Sequence, residues 1–335
     1  MFAGEAIVDV VMRVPGLPPR GGDLLATSAE VAVGGGFNVM AAAARQGLPV
    51  LYAGAHGTGH WGDLVRAALA AEGIALLRPP DPAADTGFDV GLVEPDAERT
   101  FVTSLGAESA LGAGDWDQVP AGPGDAVYVS GYGLVPPGSG PALAAWAAAL
   151  PAPVVLFFDP GPLVADIPDA VLAPMLARCD WLSANAREAA LLAALDPIAL
   201  GPTTAPDPGT ASFDNTAIRL LKRTSRASVL VRVGPAGCVL AIRPPEPEAP
   251  RHPAPEAVSA PDATLVHIPA PKVRAVDTTG AGDAHAGVFL AALSDALSPA
   301  DAARRANAAA ALAVTRPGPA TSPTRSELDA WLAAQ

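Results

Sequence analysis

Seven residues, Asp277-Thr278-Thr279-Gly280-Ala281-Gly282-Asp283, combine small backbone-exposing positions with two carboxylates, and a small, apolar run from Ala284 to Leu293 follows. The pattern predicts a loop that becomes a helix at the glycines. Glycine permits backbone angles and close approaches that a side chain blocks. The N–H groups of Gly280, Ala281 and Gly282 can therefore converge on an anion while the helix dipole adds positive potential. Asp283 falls just inside the helix start, within reach of a hydroxyl lying beside that anion. Phosphoryl transfer to an alcohol is the chemistry that needs this pairing: the hydroxyl proton must leave, and charge on the moving phosphoryl group must be neutralised. Alone, Gly-Ala-Gly-Asp equally describes an ordinary glycine turn with an acidic N-cap.

The longer string distinguishes the two. It resembles the C-terminal signature of the ribokinase-like, or PfkB, carbohydrate kinases. Gly34-Gly35-Gly36-Phe37-Asn38, continuing to Gly47, is similar to that family's N-terminal signature, and Asn185-Ala186-Arg187-Glu188 resembles its Asn-x-x-Glu motif. Three motifs in the right order are far more specific than one, and general similarity runs along most of the chain. The resemblance implies a three-layer α/β/α ribokinase-like fold with a central, mainly parallel sheet. It also implies a single kinase domain over 1–335 with a small β lid from about 10–33 and 85–105, through which a homodimer would form. The implied reaction is ATP-dependent phosphorylation of a hydroxymethyl group of a sugar or sugar-like small molecule, with Asp283 as general base and Mg²⁺ on the phosphates.

The acceptor site is expected at Asp9, Gly35, Gly36, Asn38 and Glu108. One carboxylate can accept from two neighbouring hydroxyls, and an Asn offers both donor and acceptor atoms. Nucleotide contacts are expected at Asn185, Arg232, Gly234, Gly237 and Asn307, and Glu188 is expected to hold Mg²⁺ through water. In some members Asp277, Thr279 and Ser322 would help to encircle K⁺, although Pro317 and Pro319 depart from the familiar pattern of that loop. A second departure concerns the acceptor. Some members that accept phosphorylated sugars carry a lysine in the glycine motif, and this chain has Gly36-Phe37 there. Phe37 is then either a packing residue or a stacking surface. A nucleoside acceptor, or a catalytically silent metabolite-binding protein on the same fold, are the competing readings.

The elements that must position these residues follow from periodicity. Gly4 to Val11 is expected as one buried first strand with Asp9 near its C-terminal end, where ligands bind in open α/β sheets. A helix is expected from Asn38 to Gln46, ended by Gly47, and another from Asp63 to Glu72. The glycine spacing of Gly57-Thr58-Gly59-His60-Trp61-Gly62 is a weak dinucleotide signal, rejected because no acidic residue follows a strand in the right place. Residues 87–94 and 99–104 alternate around a Pro95–Glu98 turn and predict a hairpin. From Asp125 onward strands alternate with helices, as parallel strands with crossovers do. Pro197 to Asp214 and Pro244 to Pro261 have no hydrophobic periodicity and are expected as surface insertions.

The chain has 335 residues, half of them hydrophobic and 16% charged, which suits a large core and excludes a disordered chain. Its apolar stretches are too short or too broken to span a bilayer. The formal net charge of −13 argues against nucleic acid or an anionic membrane as partner. A local nest of N–H groups still suffices for a triphosphate. Cys179 and Cys238 form no metal or redox spacing, and no leader-like pattern precedes the first strand, so a cytoplasmic location is expected.

Overall fold

The computed structural model describes residues 1–95, 99–194, 210–243 and 263–335. Its strands and helices begin with β1 (Phe2–Ala3), β2 (Ala6–Arg13), β3 (Ser28–Gly35), α1 (Phe37–Arg45), β4 (Leu51–Tyr52), α2 (His60–Ala71) and β5 (Ala75–Leu76). The hairpin strands β6 (Phe88–Val93) and β7 (Arg99–Ser104) and the short α3 (Ala113–Trp116) come next. An alternating run follows: β8 (Ala126–Ser130), α4 (Gly140–Ala148), β9 (Val155–Asp159), α5 (Asp169–Arg178), β10 (Trp181–Asn185), α6 (Ala186–Ala194), α7 (Thr210–Arg223) and β11 (Ser228–Arg232). After β12 (Cys238–Ile242) and β13 (Thr264–Ile268), the helices α8 (Ala281–Ser294), α9 (Pro299–Ala313) and α10 (Arg325–Ala333) complete the chain.

The strands form a nine-stranded sheet in the order β13-β12-β11-β10-β9-β8-β1-β4-β5 and a four-stranded sheet in the order β3-β2-β6-β7. All pairs from β5 to β11 in the large sheet are parallel, and only the β11–β12 and β12–β13 pairs are antiparallel, so β12 alone runs against the rest. Both faces of the large sheet are buried, so alternate residues of one strand enter different cores. Val127, Val129, Leu156, Phe158, Val229 and Val231 join the core under α4 to α7. Tyr128, Phe157 and Leu230, their sequence neighbours, join the core under α1, α2, α8 and α9. The result is a three-layer α/β/α sandwich. Across the second face an aromatic row runs from Phe2 to Tyr128 and Phe157, with centroid spacings of 5.3 and 5.4 Å.

Three expectations need correction. The single first strand from Gly4 to Val11 does not form: Phe2–Ala3 lies in the large sheet, and Ala6–Arg13 lies in the small one. The start of α1 sits in the break between them. Gly36 N–H donates to Glu5 O at 2.9 Å, and a Cβ on Gly36 would lie 1.9 Å from Phe2 Cζ. Asp9 is therefore inside a strand of the small sheet and not at the mouth of the large one. The small sheet also begins at Ala6, earlier than residue 10. The insertion expected to reach Asp214 stops sooner, because α7 starts at Thr210 and packs Phe213, Ala217, Leu220 and Leu221 on the core. That spacing is helical. The rest of the two proline-rich stretches, and the hairpin turn after Pro95, lie outside the described residues. Among the described residues no helix is long and apolar enough to cross a membrane.

Candidate active site

Gly280 caps α8 with φ +72°, a left-handed angle that a side chain would strain, and the helix turns inward behind it. The first-turn N–H groups of a helix have no acceptor within it. Here Ala281 N–H bends back to Thr278 O at 3.3 Å. Asp283 stands in that first turn, and Asn38 Nδ2 donates to its Oδ2 at 3.1 Å. A backbone contact brings them together: a Cβ on Gly287, one turn along α8, would lie 2.5 Å from Val39 O of α1. Burial, together with the charge of Asp159, raises the Asp283 carboxyl to about 6, against the lowering influence of Asn38 and Arg232. The glycine motif and the Gly-Ala-Gly-Asp turn thus meet at one carboxylate.

Beside it lies a closed polar network. Arg232, the last residue of β11, donates through Nη1 to Asp159 Oδ2 at 2.8 Å and to Gly282 O at 3.3 Å, and through Nη2 to Glu188 Oε2 at 3.5 Å. Burial opposes the Arg232 charge, and the two carboxylates outweigh it. The guanidinium is therefore spent on protein groups. It braces the turn from behind, and the expectation that it flanks a phosphate or ribose is not what its contacts display. Asn185 and Glu188 cap α6 reciprocally: Asn185 N–H and Nδ2 donate to the two carboxylate oxygens at 2.8 and 2.7 Å, and Glu188 N–H donates to Asn185 Oδ1 at 2.9 Å. Gly234 and Gly237 form the β11–β12 turn. Asn307 is fixed inside the fold, where its Nδ2 donates to Ile268 O at 2.9 Å.

The other side of Asp283 is different in kind. Asp9 on β2 and Asp89 on β6 are direct neighbours in a parallel register and so share one face of the small sheet. Burial raises both, Asp9 to about 7 with help from the charges of Asp89 and Asp283, and Asp89 to about 6. Glu5, at the junction of the two sheets, is pushed up to about 8 by burial. Asp89 Oδ1 and Asn38 Oδ1 are buried acceptors without a hydrogen-bond partner among the described residues. Tyr132, partly exposed after β8, has a hydroxyl pushed up by burial and by Glu5, Asp283, Asp89 and Glu188.

Several expected acceptor residues are occupied by the fold. Both Glu108 oxygens accept from backbone, Gly87 N–H at 2.9 Å and Gly106 N–H at 2.6 Å. Gly35 takes a left-handed φ of +58° and Gly36 packs on Phe2 as described. Sequence reasoning missed Glu5, Asp89 and the partnership of Asp159 with Arg232. It also missed Asp85, whose carboxylate accepts from Trp61 N–H at 3.0 Å and Gly62 N–H at 2.8 Å at the start of α2. For Asp89 a signal existed: a charged residue in the middle of an otherwise apolar strand.

The Asp277 loop is tied down from several directions. Thr279 N–H and Oγ1 donate to Asp277 Oδ1, Gly318 N–H donates to Oδ2, and Arg99 of β7 pairs with Oδ1 at 2.7 Å. Burial disfavours the Asp277 charge, yet these partners hold its pKa below the ordinary value. Ser322 is buried, and its Oγ has no partner among the described residues. The carbonyls around it are engaged: Ala320 O and Ser322 O accept from Arg45 Nη1 at 2.5 and 2.8 Å, and Thr321 O accepts from Arg316 Nη1 at 3.3 Å. Among the described residues no group of three or more His, Cys, Asp or Glu side chains is disposed to hold a metal.

Comparison with known proteins places the chain in a family. The chain is 33% identical over 330 residues to the uncharacterized sugar kinase YegV of Escherichia coli (strain K12), covering 98% of this chain and 92% of that one. In fold it is similar to the Arabidopsis thaliana ribokinase complexed with ribose and ATP, with a TM-score of 0.72 and 22% identity over 99% of this chain and 97% of the other. It is likewise similar to the adenosine kinase of Sinorhizobium meliloti, with a TM-score of 0.76 and 22% identity over 100% and 98%. The model of the pfkB family carbohydrate kinases matches residues 1–325. This chain therefore belongs to the pfkB family of carbohydrate kinases and is an ATP-dependent kinase.

Proposed function

We propose that the protein transfers the terminal phosphoryl group of ATP to a hydroxymethyl group of a sugar or sugar-like molecule, with Asp283 as general base. One observation carries this reading. Asp283 is buried in the first turn of α8, its pKa is raised to about 6, and Asn38 of the glycine motif orients it. A base of that pKa is mostly ionised at neutral pH and still basic enough to accept a proton as the alcohol attacks. The N–H groups of Gly280 and Gly282 neutralise charge on the moving phosphoryl group, that of Ala281 joining them only if it leaves Thr278 O, and Arg232 keeps their turn in place through the Gly282 carbonyl. Asp9 and Asn38 bind the acceptor hydroxyls.

Asn185, Gly234 and Gly237 lie along the nucleotide side, and Glu188 orders water around Mg²⁺. When bound, that ion would offset the negative charge of the phosphates. Asp277, Thr279 and Ser322 are the residues that would help to hold K⁺, on the strength of the unpartnered Ser322 hydroxyl alone, and such an ion would fix the anion-binding turn. With both cysteines buried and free, a reducing cytoplasm suits the protein. The test is a turnover screen of sugars and nucleosides that measures ADP release and locates the new phosphate on the product. Phosphorylation of a sugar hydroxymethyl group supports the reading; nucleosides as the only acceptors, or binding without turnover, overturn it.

A further inference from the structure

The acceptor half of the crevice is short of donors. Asp9 is 9% exposed and Asn38 5%, yet Asn38 Oδ1 and Asp89 Oδ1 are buried acceptors with no donor among the described residues. None of Glu5, Asp9, Asp89 and Asp283 forms an ion pair with Lys, Arg or His among the described residues. The nearby arginines are committed elsewhere, Arg232 to Asp159 and Glu188, and Arg99 to Asp277. Asp9 and Asp89 lie in direct register on adjacent strands, an arrangement in which like charges are destabilising.

Resting on the kinase reading above, we propose that Asp89, set beside Asp9, selects an acceptor that carries a protonated amine next to the hydroxyls it presents. A hydroxyl brings one donor and two further lone pairs into this pocket, whereas an ammonium brings three donors, no lone pair and a compensating positive charge. A buried carboxylate is stabilised most by a cation that also hydrogen-bonds to it. The same arrangement repels sugar phosphates and sugar acids. Asp89 is thus the residue that sets the charge class of the acceptor, while Asp283 performs the chemistry on whatever is bound.

The experiment measures kcat/KM at pH 7 on matched sets: a neutral sugar, its amino-deoxy counterpart, the N-acetylated amine and the corresponding sugar acid. The amine should exceed its neutral parent by about tenfold or more, chiefly through KM, and N-acetylation should remove the advantage. In Asp89→Asn the ratio of amine to neutral parent should fall to about twofold or less. Because that ratio is taken within one preparation, a partly misfolded variant leaves it unaffected. Equal or better use of the neutral parent by the wild-type enzyme, or an unchanged ratio in Asp89→Asn, overturns the proposal while leaving the kinase reading intact. Failure of every sugar in every charge form overturns both.

Discussion

The two halves of the crevice solve the problem of buried charge in opposite ways. On the nucleotide side, Arg232 answers Asp159 and Glu188, and Asn185 closes a reciprocal cap with Glu188, so the framework is satisfied before any ligand arrives. On the acceptor side, Glu5, Asp9 and Asp89 gather without a cation, and buried oxygens lack donors. A satisfied network is pre-organised and rigid, while an unsatisfied one is completed by what it binds. Asp283 stands at the seam, touched by Asn38 from one side and by the field of Arg232 from the other. The difference teaches which half holds the turn for catalysis and which half chooses the substrate.

The sharpest way to break this picture is at the seam. Asp283→Asn should lower kcat by a factor on the order of 10² or more, with ATP binding nearly unchanged. Wild-type kcat should fall as pH drops below about 6, because the raised carboxyl becomes protonated and can no longer accept a proton. A turnover near wild type in the variant, read beside ATP affinity by calorimetry, would remove Asp283 from its role.

The next test attacks the satisfied half. Arg232→Met leaves Asp159 and Glu188 buried without their cation, and breaking such a pair typically costs about 3–5 kcal/mol of stability. Thermal unfolding reads that loss. Arg232 also lowers the Asp283 carboxyl, so the acid limb of the pH–rate profile should move upward in the variant. A limb that stays where it was, in protein that still folds, would show that the guanidinium has only a packing role.

Relief of the unsatisfied half should have the opposite sign. The folded state holds the Glu5 proton up to about 8, against 4.5 for the unreacted group, so stability is lost as pH rises through that window and levels off above it. Glu5→Gln keeps the neutral form at every pH. Its gain in Tm should be absent near pH 4 and full above pH 8. A gain independent of pH would contradict the buried carboxyl.

The smallest effect is expected at Ser322. If a cation completes its orphaned hydroxyl, replacing K⁺ by tetramethylammonium at constant ionic strength should lower kcat more than ATP affinity, since only an ordered loop presents its N–H groups to the transition state. Ser322→Ala should blunt that response. Equal rates in K⁺, Na⁺ and tetramethylammonium would eliminate the site.

Much of this molecule is legible in its sequence. The alternation after Asp125 gives the parallel sheet, because a strand buried on both faces and a helix buried on one leave different periods. Local chemistry at Gly280 to Asp283 and at Asn38 announces a loop–helix turn and its polar partner, since left-handed glycine and helix capping depend on near neighbours. What the chain alone does not display are pairings between distant segments. Phe2 to Arg13 looks like one apolar run, yet its sheet changes at Gly4-Glu5, because α1 wedges there through Gly36, some thirty residues on. Asp89 becomes a site residue only when β6 lies in register with β2. Arg232 turns from a phosphate contact into a brace because β9 and α6 bring Asp159 and Glu188 to it. Charges act through space, so the role of an ionisable residue is decided by neighbours that only the tertiary fold supplies.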